Sequence, residues 1–118
     1  MIKIDWGPVI ELSTFMEGCT FHYCDHHGGI IVSPETLENS PYFDKLKSID
    51  MSQFLLEDGN YAFEQDCNAC VILILLPREI LAKHYEHCKT DAGYANFQEN
   101  CNIVLKGFNP KIYAAIAV

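Results

Sequence analysis

The chain is 118 residues long, enough for one domain and short of two. A fold of this length buries roughly two-thirds of its unfolded surface, so neither a metal nor a disulfide is required to hold it together. Hydrophobic residues make up 49% and charged residues 20%, which excludes wholesale disorder, while a formal charge of −8 with Arg78 as the single arginine makes a poor grip for phosphate backbones.

Residues 9–16 alternate weakly and residues 20–24 are β-prone, so both are predicted strands. Asp25, His26, His27, Gly28 and Gly29 interrupt the pattern, and residues 30–32 resume it as a short strand. The glycine pair marks a turn or a place where something approaches the backbone closely. Ser33, Pro34 and Glu35 form a helix start of N-cap, first-position proline and first-turn acid, and Pro41 limits this helix to about two turns. Residues 42–47 form a further turn of helix.

Residues 53–64 carry the clearest local signal. Asp58-Gly59 between two apolar runs predicts a two-residue hairpin that pairs Glu57 with Asn60, Leu56 with Tyr61 and Phe54 with Phe63. Period-2 geometry then puts Phe54, Leu56, Tyr61 and Phe63 on one face, and Glu57, Glu64 and, if the strand continues, Asp66 on the other. Residues 70–76 are apolar at every position and read as a central strand buried on both sides. From 77 to 89 the stripe of Ile80, Leu81, His84, Tyr85 and Cys88 predicts the principal helix. A short helix over 91–100 follows, then strands at 103–106 and 112–118 around a turn at Gly107-Phe108-Asn109-Pro110. The expected architecture is a single α+β domain over 1–118, a largely antiparallel sheet packed against one principal helix.

Charge is split along the chain. Residues 1–66 hold twelve acidic residues and three lysines, whereas residues 67–118 hold four acidic and five basic residues. The first half is therefore a solubilising surface or one shaped to meet a basic partner. Asp5 and Pro8 interrupt what would have to be the apolar stretch of a signal peptide, and the longest apolar run stops at Pro77, far short of the roughly 20 residues of a spanning helix. The expected location is the cytoplasm, or the host cytoplasm if the chain is phage-encoded. There the six cysteines, Cys19, Cys24, Cys67, Cys70, Cys88 and Cys101, stay reduced and mostly act as small buried apolar groups.

Two cysteine–histidine sets carry potential chemistry. Cys67, Cys70, His84 and Cys88 have the residue types of a tetrahedral zinc site. Against zinc stand the dense apolar run inside the set, the opposite faces that a strand would give Cys67 and Cys70, and a domain large enough to fold without metal. Cys24 beside His26 and His27 would make a thiol–imidazole pair, yet no orienting partner or nucleophile motif accompanies it. Phosphate-loop, Gly-x-Ser-x-Gly and His-Glu-x-x-His signatures are missing. The expectation is no catalysis and no cofactor, with a zinc-binding or thiol–histidine enzyme as the alternative.

His27-Gly28-Gly29-Ile30-Ile31-Val32-Ser33, then Phe63-Glu64-Gln65-Asp66-Cys67 and Leu76-Pro77-Arg78-Glu79, resemble an uncharacterised small domain of bacterial plasmids, integrating elements and phages. That family has Ser-His-Gly-Gly before a strand, an aromatic-acid-x-Asp-Cys motif and a strand ending in Phe-Pro-Glu. Here His26 replaces the serine and Leu-Pro-Arg-Glu replaces Phe-Pro-Glu, within a match over residues 26–80. The resemblance implies a mobile-element setting and singles out His27, Gly28, Gly29 and Asp66, but it supplies no reaction. By association with other small acidic proteins of such elements, it points to an inhibitor of host defence, of anti-CRISPR or anti-restriction type, that occupies a basic nucleic-acid-binding surface.

The leading expectation is thus an acidic binding protein. Glu57, Asp58, Glu64 and Asp66, with Asp44, Asp50 and the aromatic anchor Tyr42, would dock on a basic, nucleic-acid-binding host protein. Direct contact with nucleic acid or membrane is not expected. A third reading is a self-associating structural protein, a homodimer joined through an edge strand at 112–118.

Overall fold

In a computed structural model of the chain, residues 6–116 are described. Four antiparallel strands, β1 (Val9–Met16), β2 (Cys19–Cys24), β3 (Gly28–Val32) and β4 (Tyr61–Glu64), form one sheet in the order β1-β2-β3-β4. Among the described residues there are five α-helices: α1 (Pro34–Asn39), α2 (Cys70–Leu73), α3 (Arg78–His84), α4 (Asp91–Phe108) and α5 (Pro110–Ile116). The fold class is α+β, as the alternation of strand and helix patterns predicts.

Strand pairing follows the pleat. Phe21, Ile30 and Phe63 stand opposite one another across β2, β3 and β4, and all three are buried. Phe15 and Val32 extend this inner face, which the helical segments cover to make the main core. The next row on the opposite face is Leu12, His22, Gly29 and Glu64. There the cover is thin: Trp6, Leu56 and Ala62 form a small separate cluster. Beyond it β1 is left open, with Val9, Ile10 and Leu12 more than half exposed.

Helix α1 begins as the sequence predicts. The Ser33 hydroxyl accepts the Thr36 N–H at 3.1 Å, Pro34 occupies the first turn, and the helix ends before Pro41. A 3-10 segment, Pro41–Ser48, supplies the expected extra turn and buries Phe43 and Leu46.

Three predicted strands are helical, and the predicted principal helix is the shorter one. The run at 70–76 cannot join the sheet because the chain turns sharply after β4, with the N–H groups of Asn68 and Ala69 both donating to the Glu64 carbonyl at 2.8 and 2.9 Å. Uninterrupted apolar sequence suits a fully buried helix as well as a central strand, and α2 buries all four of its residues. The predicted helix over 91–100 continues through 103–106. Cys101 and Leu105, four residues apart, supply the buried face of α4, while Ile103 faces solvent. The 112–118 segment is helical through Ile116, with Ile112 and Ile116 on its buried side and Pro110 at its start. Ala117 and Val118 lie outside the described residues. The edge strand needed for self-pairing there does not exist through Ile116.

The 77–89 stripe forms α3, then breaks into a 3-10 turn, Glu86–Lys89. Arg78 brackets this break. Its guanidinium donates to the carbonyls of Cys88 and Lys89, each at 3.0 Å, pairs with Asp91 at 2.7 Å and lies over the Tyr94 ring. The single arginine is thus committed to tying α3 to the start of α4.

Candidate functional site

Four acidic residues of the first half flank β4, one of the two edge strands of the sheet. Glu57 and Asp58 precede it, and Glu64 and Asp66 occupy its end and the turn beyond. Four residues of strand span roughly 13 Å, longer than the roughly 8 Å over which physiological salt screens exposed charges, so the acids at each end act as separate groups. Glu57, Asp58 and Asp66 are exposed and Glu64 is half-buried.

The predicted hairpin needs correction. Ser52–Phe54 is a 3-10 turn whose Ser52 N–H donates to Asp50 Oδ1 at 3.0 Å, so no strand runs through Phe54. The tight turn at 57–60 is present, with Gly59 at φ 92°, but its bridge joins Leu55 to Tyr61, and β4 takes β3 as its ladder partner. Phe54 still meets Phe63, ring centroids 4.7 Å apart, in the main core. Leu56 instead joins Trp6 and Ala62 on the opposite side. Glu57 and Asp66 therefore lie in turns on either side of β4, and neither shares a strand face with Glu64.

Hydrogen bonds position several of these acids. Asp58 accepts the Asn60 N–H at 2.9 Å and its side-chain amide at 3.3 Å, fixing the turn. Asp50 is held below its ordinary value of 3.8 by the Ser52 hydroxyl and N–H. Asp44 pairs with Lys47 at 3.0 Å, which removes it from the free negative surface, and Tyr42 nearby is 40% exposed.

The histidine segment is a hairpin tip. Cys24 N–H donates to the His27 carbonyl at 3.1 Å across the two-residue tip Asp25-His26, and the Trp6 carbonyl receives the N–H groups of both His26 and His27. Gly28 and Gly29 lie within β3, not in the turn, and both are buried. The close approach signalled by the glycines is real. A Cβ on Gly29 would stand 2.3 Å from the Phe63 carbonyl oxygen and 2.7 Å from the Trp6 ring. The Cys24 thiol faces the His22 backbone carbonyl at 3.8 Å, not an imidazole. His26 and His27 are exposed.

The four residues of the potential zinc set go separate ways. Cys88 is sealed in the core, and the Cys67 carbonyl accepts from the buried Asn109 amide at 3.0 Å. His84 Nδ1 meets the Ser13 hydroxyl at 2.7 Å, and Cys70 lies with Cys101 against one cavity. Among the described residues no three His, Cys, Asp or Glu side chains are grouped to hold a metal ion. Sequence reading missed both new pairs. Ser13 and His84 are 71 positions apart, and Cys70 and Cys101 meet only because segments read as strands are helices.

His22 stands beside Gly29 on the thinly covered face, and burial lowers its pKa from 6.5. The folded state then resists protonation more than the unfolded chain does. Its contribution is present above pH 6.5 and is lost as pH falls below that value. Urea midpoints measured on acidification should fall, and His22→Gln should make the fall shallower.

The fold and its edge define a small α+β domain whose sheet ends in a strand flanked by carboxylates. The chain belongs to the family described as a domain of unknown function, DUF7007, whose family model matches residues 2–118. No curated protein and no solved structure matches it. No helix among the described residues is long and apolar enough to cross a membrane.

Proposed function

We propose that this chain is an acidic binding protein, without catalysis, that docks on a basic protein surface of the kind that otherwise holds nucleic acid. One observation carries this reading: among the described residues, Asp44 is the only first-half acid in an ion pair, the other two pairs being Arg78–Asp91 and Lys89–Glu86. The negative surface around β4 is left to be answered by another molecule. Such a surface speeds encounter and sets orientation more than it adds raw affinity. The resemblance to domains of plasmids, integrating elements and phages suggests a host-defence complex as the target, which the chain would block from inside the host cell.

Charge reversal tests the reading. The exposed pair Glu57→Lys and Asp66→Lys makes no internal hydrogen bond to lose, and Glu64→Lys is added in a second variant. Proteins captured from a bacterial host lysate by the wild type, eluted with rising salt and identified by mass spectrometry, should include a basic nucleic-acid-binding protein. Its affinity for the purified double variant should fall about ten- to a hundredfold at low salt, and less at high salt. Unchanged binding in a variant whose circular dichroism matches the wild type would overturn the proposal.

A further inference from the structure

Between the inner face of the sheet and helices α2 and α4 lies a cavity of about 260 Å³, and two thiols, Cys70 and Cys101, line it together. A molecule the size of water takes roughly 30 Å³, so small polar oxidants have room beside the sulfurs. Tyr85, Phe97 and Leu73 wall the space, while Gln65 and Asn100 add polar side chains to the lining. We propose that Cys70 and Cys101 form a redox site, at which a small hydroperoxide oxidises the pair to a reversible disulfide joining α2 to α4.

The remaining cysteines have different surroundings. Cys19 and Cys88 are sealed in the core with no exposed surface. Cys24 and Cys67 are half-buried, and none of the four lines this cavity. Within the pair the roles are unequal. The Cys101 S–H supports the Cys70 thiolate through a hydrogen bond, lowering Cys70 below 9.0, while that same bond and burial raise Cys101. Cys70, 8% exposed against 4% for Cys101, is also the more accessible sulfur and makes the attack, while Cys101 keeps its proton.

In the first step the Cys70 thiolate attacks one oxygen of the hydroperoxide. The O–O bond breaks, Cys70 becomes a sulfenic acid, and the other oxygen leaves as an alcohol or water after taking a proton. Cys101 sulfur then attacks Cys70 sulfur, the S–O bond breaks, and hydroxide departs as water with the Cys101 proton. Two thiols have supplied two electrons to one peroxide. A dithiol reductant reverses the bond by exchange.

The fully reduced chain supplies its own controls. It is treated with hydrogen peroxide, quenched with an alkylating agent and mapped by mass spectrometry under non-reducing conditions. The expected product is a Cys70–Cys101 linked peptide, two hydrogens lighter than its reduced parts. It should form about tenfold faster than Cys24 or Cys67 is lost, and dithiothreitol should remove it. In Cys101→Ser, dimedone should label Cys70. Reaction at Cys24 and Cys67 ahead of a Cys70–Cys101 pair that stays reduced overturns the proposal, as does a linkage that forms only in urea. The wild-type map decides the matter even if the serine variant folds poorly.

Discussion

Gly29→Ala should destabilise the domain by about 1–3 kcal/mol, with its urea midpoint falling accordingly. The added methyl has nowhere to go. On one side is the Phe63 carbonyl oxygen, 2.3 Å from the new carbon and part of the backbone of β4; on the other is the Trp6 ring at 2.7 Å. Relief requires parting β3 from β4 or expelling Trp6, and either move opens the small cluster of Trp6, Leu56 and Ala62. Gly107→Ala is the matched control. Nothing lies within 4 Å of its added carbon near the end of α4, so it should be neutral or stabilise by about 0.5 kcal/mol. Equal losses at both positions would contradict the steric account.

Phe63→Ala should cost more, about 3–5 kcal/mol, a large share of the stability of a domain this size. The ring has no exposed surface, and it joins strand pairing to core packing. On the sheet it stands opposite Ile30, and its ring meets Phe54 at 4.7 Å, which pins the 3-10 turn at Ser52–Phe54 beneath β4. Truncation leaves a cavity that strand and turn cannot both close. Phe63→Leu should recover most of the loss, since it refills the space with an apolar side chain. Chemical denaturation of the two variants checks the ordering, and an alanine variant as stable as the wild type would refute it.

Local chemistry made the first third of the fold legible. The Ser33 cap, Pro34, Pro41 and the alternation in 9–16 and 20–24 each act within a few residues, and each element formed where these signals put it. Apolar runs were read less well. Residues 70–76 carry no period, and only the turn that hands β4 to α2 decides between helix and strand. At 103–106 and 112–118, the turn at Gly107-Phe108-Asn109-Pro110 favoured strands, but Cys101 with Leu105 and Ile112 with Ile116 were equally good helical pairs. The acidic residues that flank β4 were identifiable from the sequence. The register was not, because the Asp58-Gly59 turn fixes a local reversal without saying which strand β4 will join. Gly28 and Gly29 announced a close approach, but no residue near them in sequence announced Trp6.

Two-residue tips join β1 to β2 and β2 to β3, whereas β4 returns to the sheet only after residues 33–60. The first three strands can zip together from neighbour to neighbour, but recruiting the fourth means closing a long loop against chain entropy. The carboxylates that flank β4 come into their final arrangement only when that loop closes. Their arrangement is consequently a property of the completed fold, and an excised peptide spanning 57–66 would carry the same charges without presenting them in the same geometry.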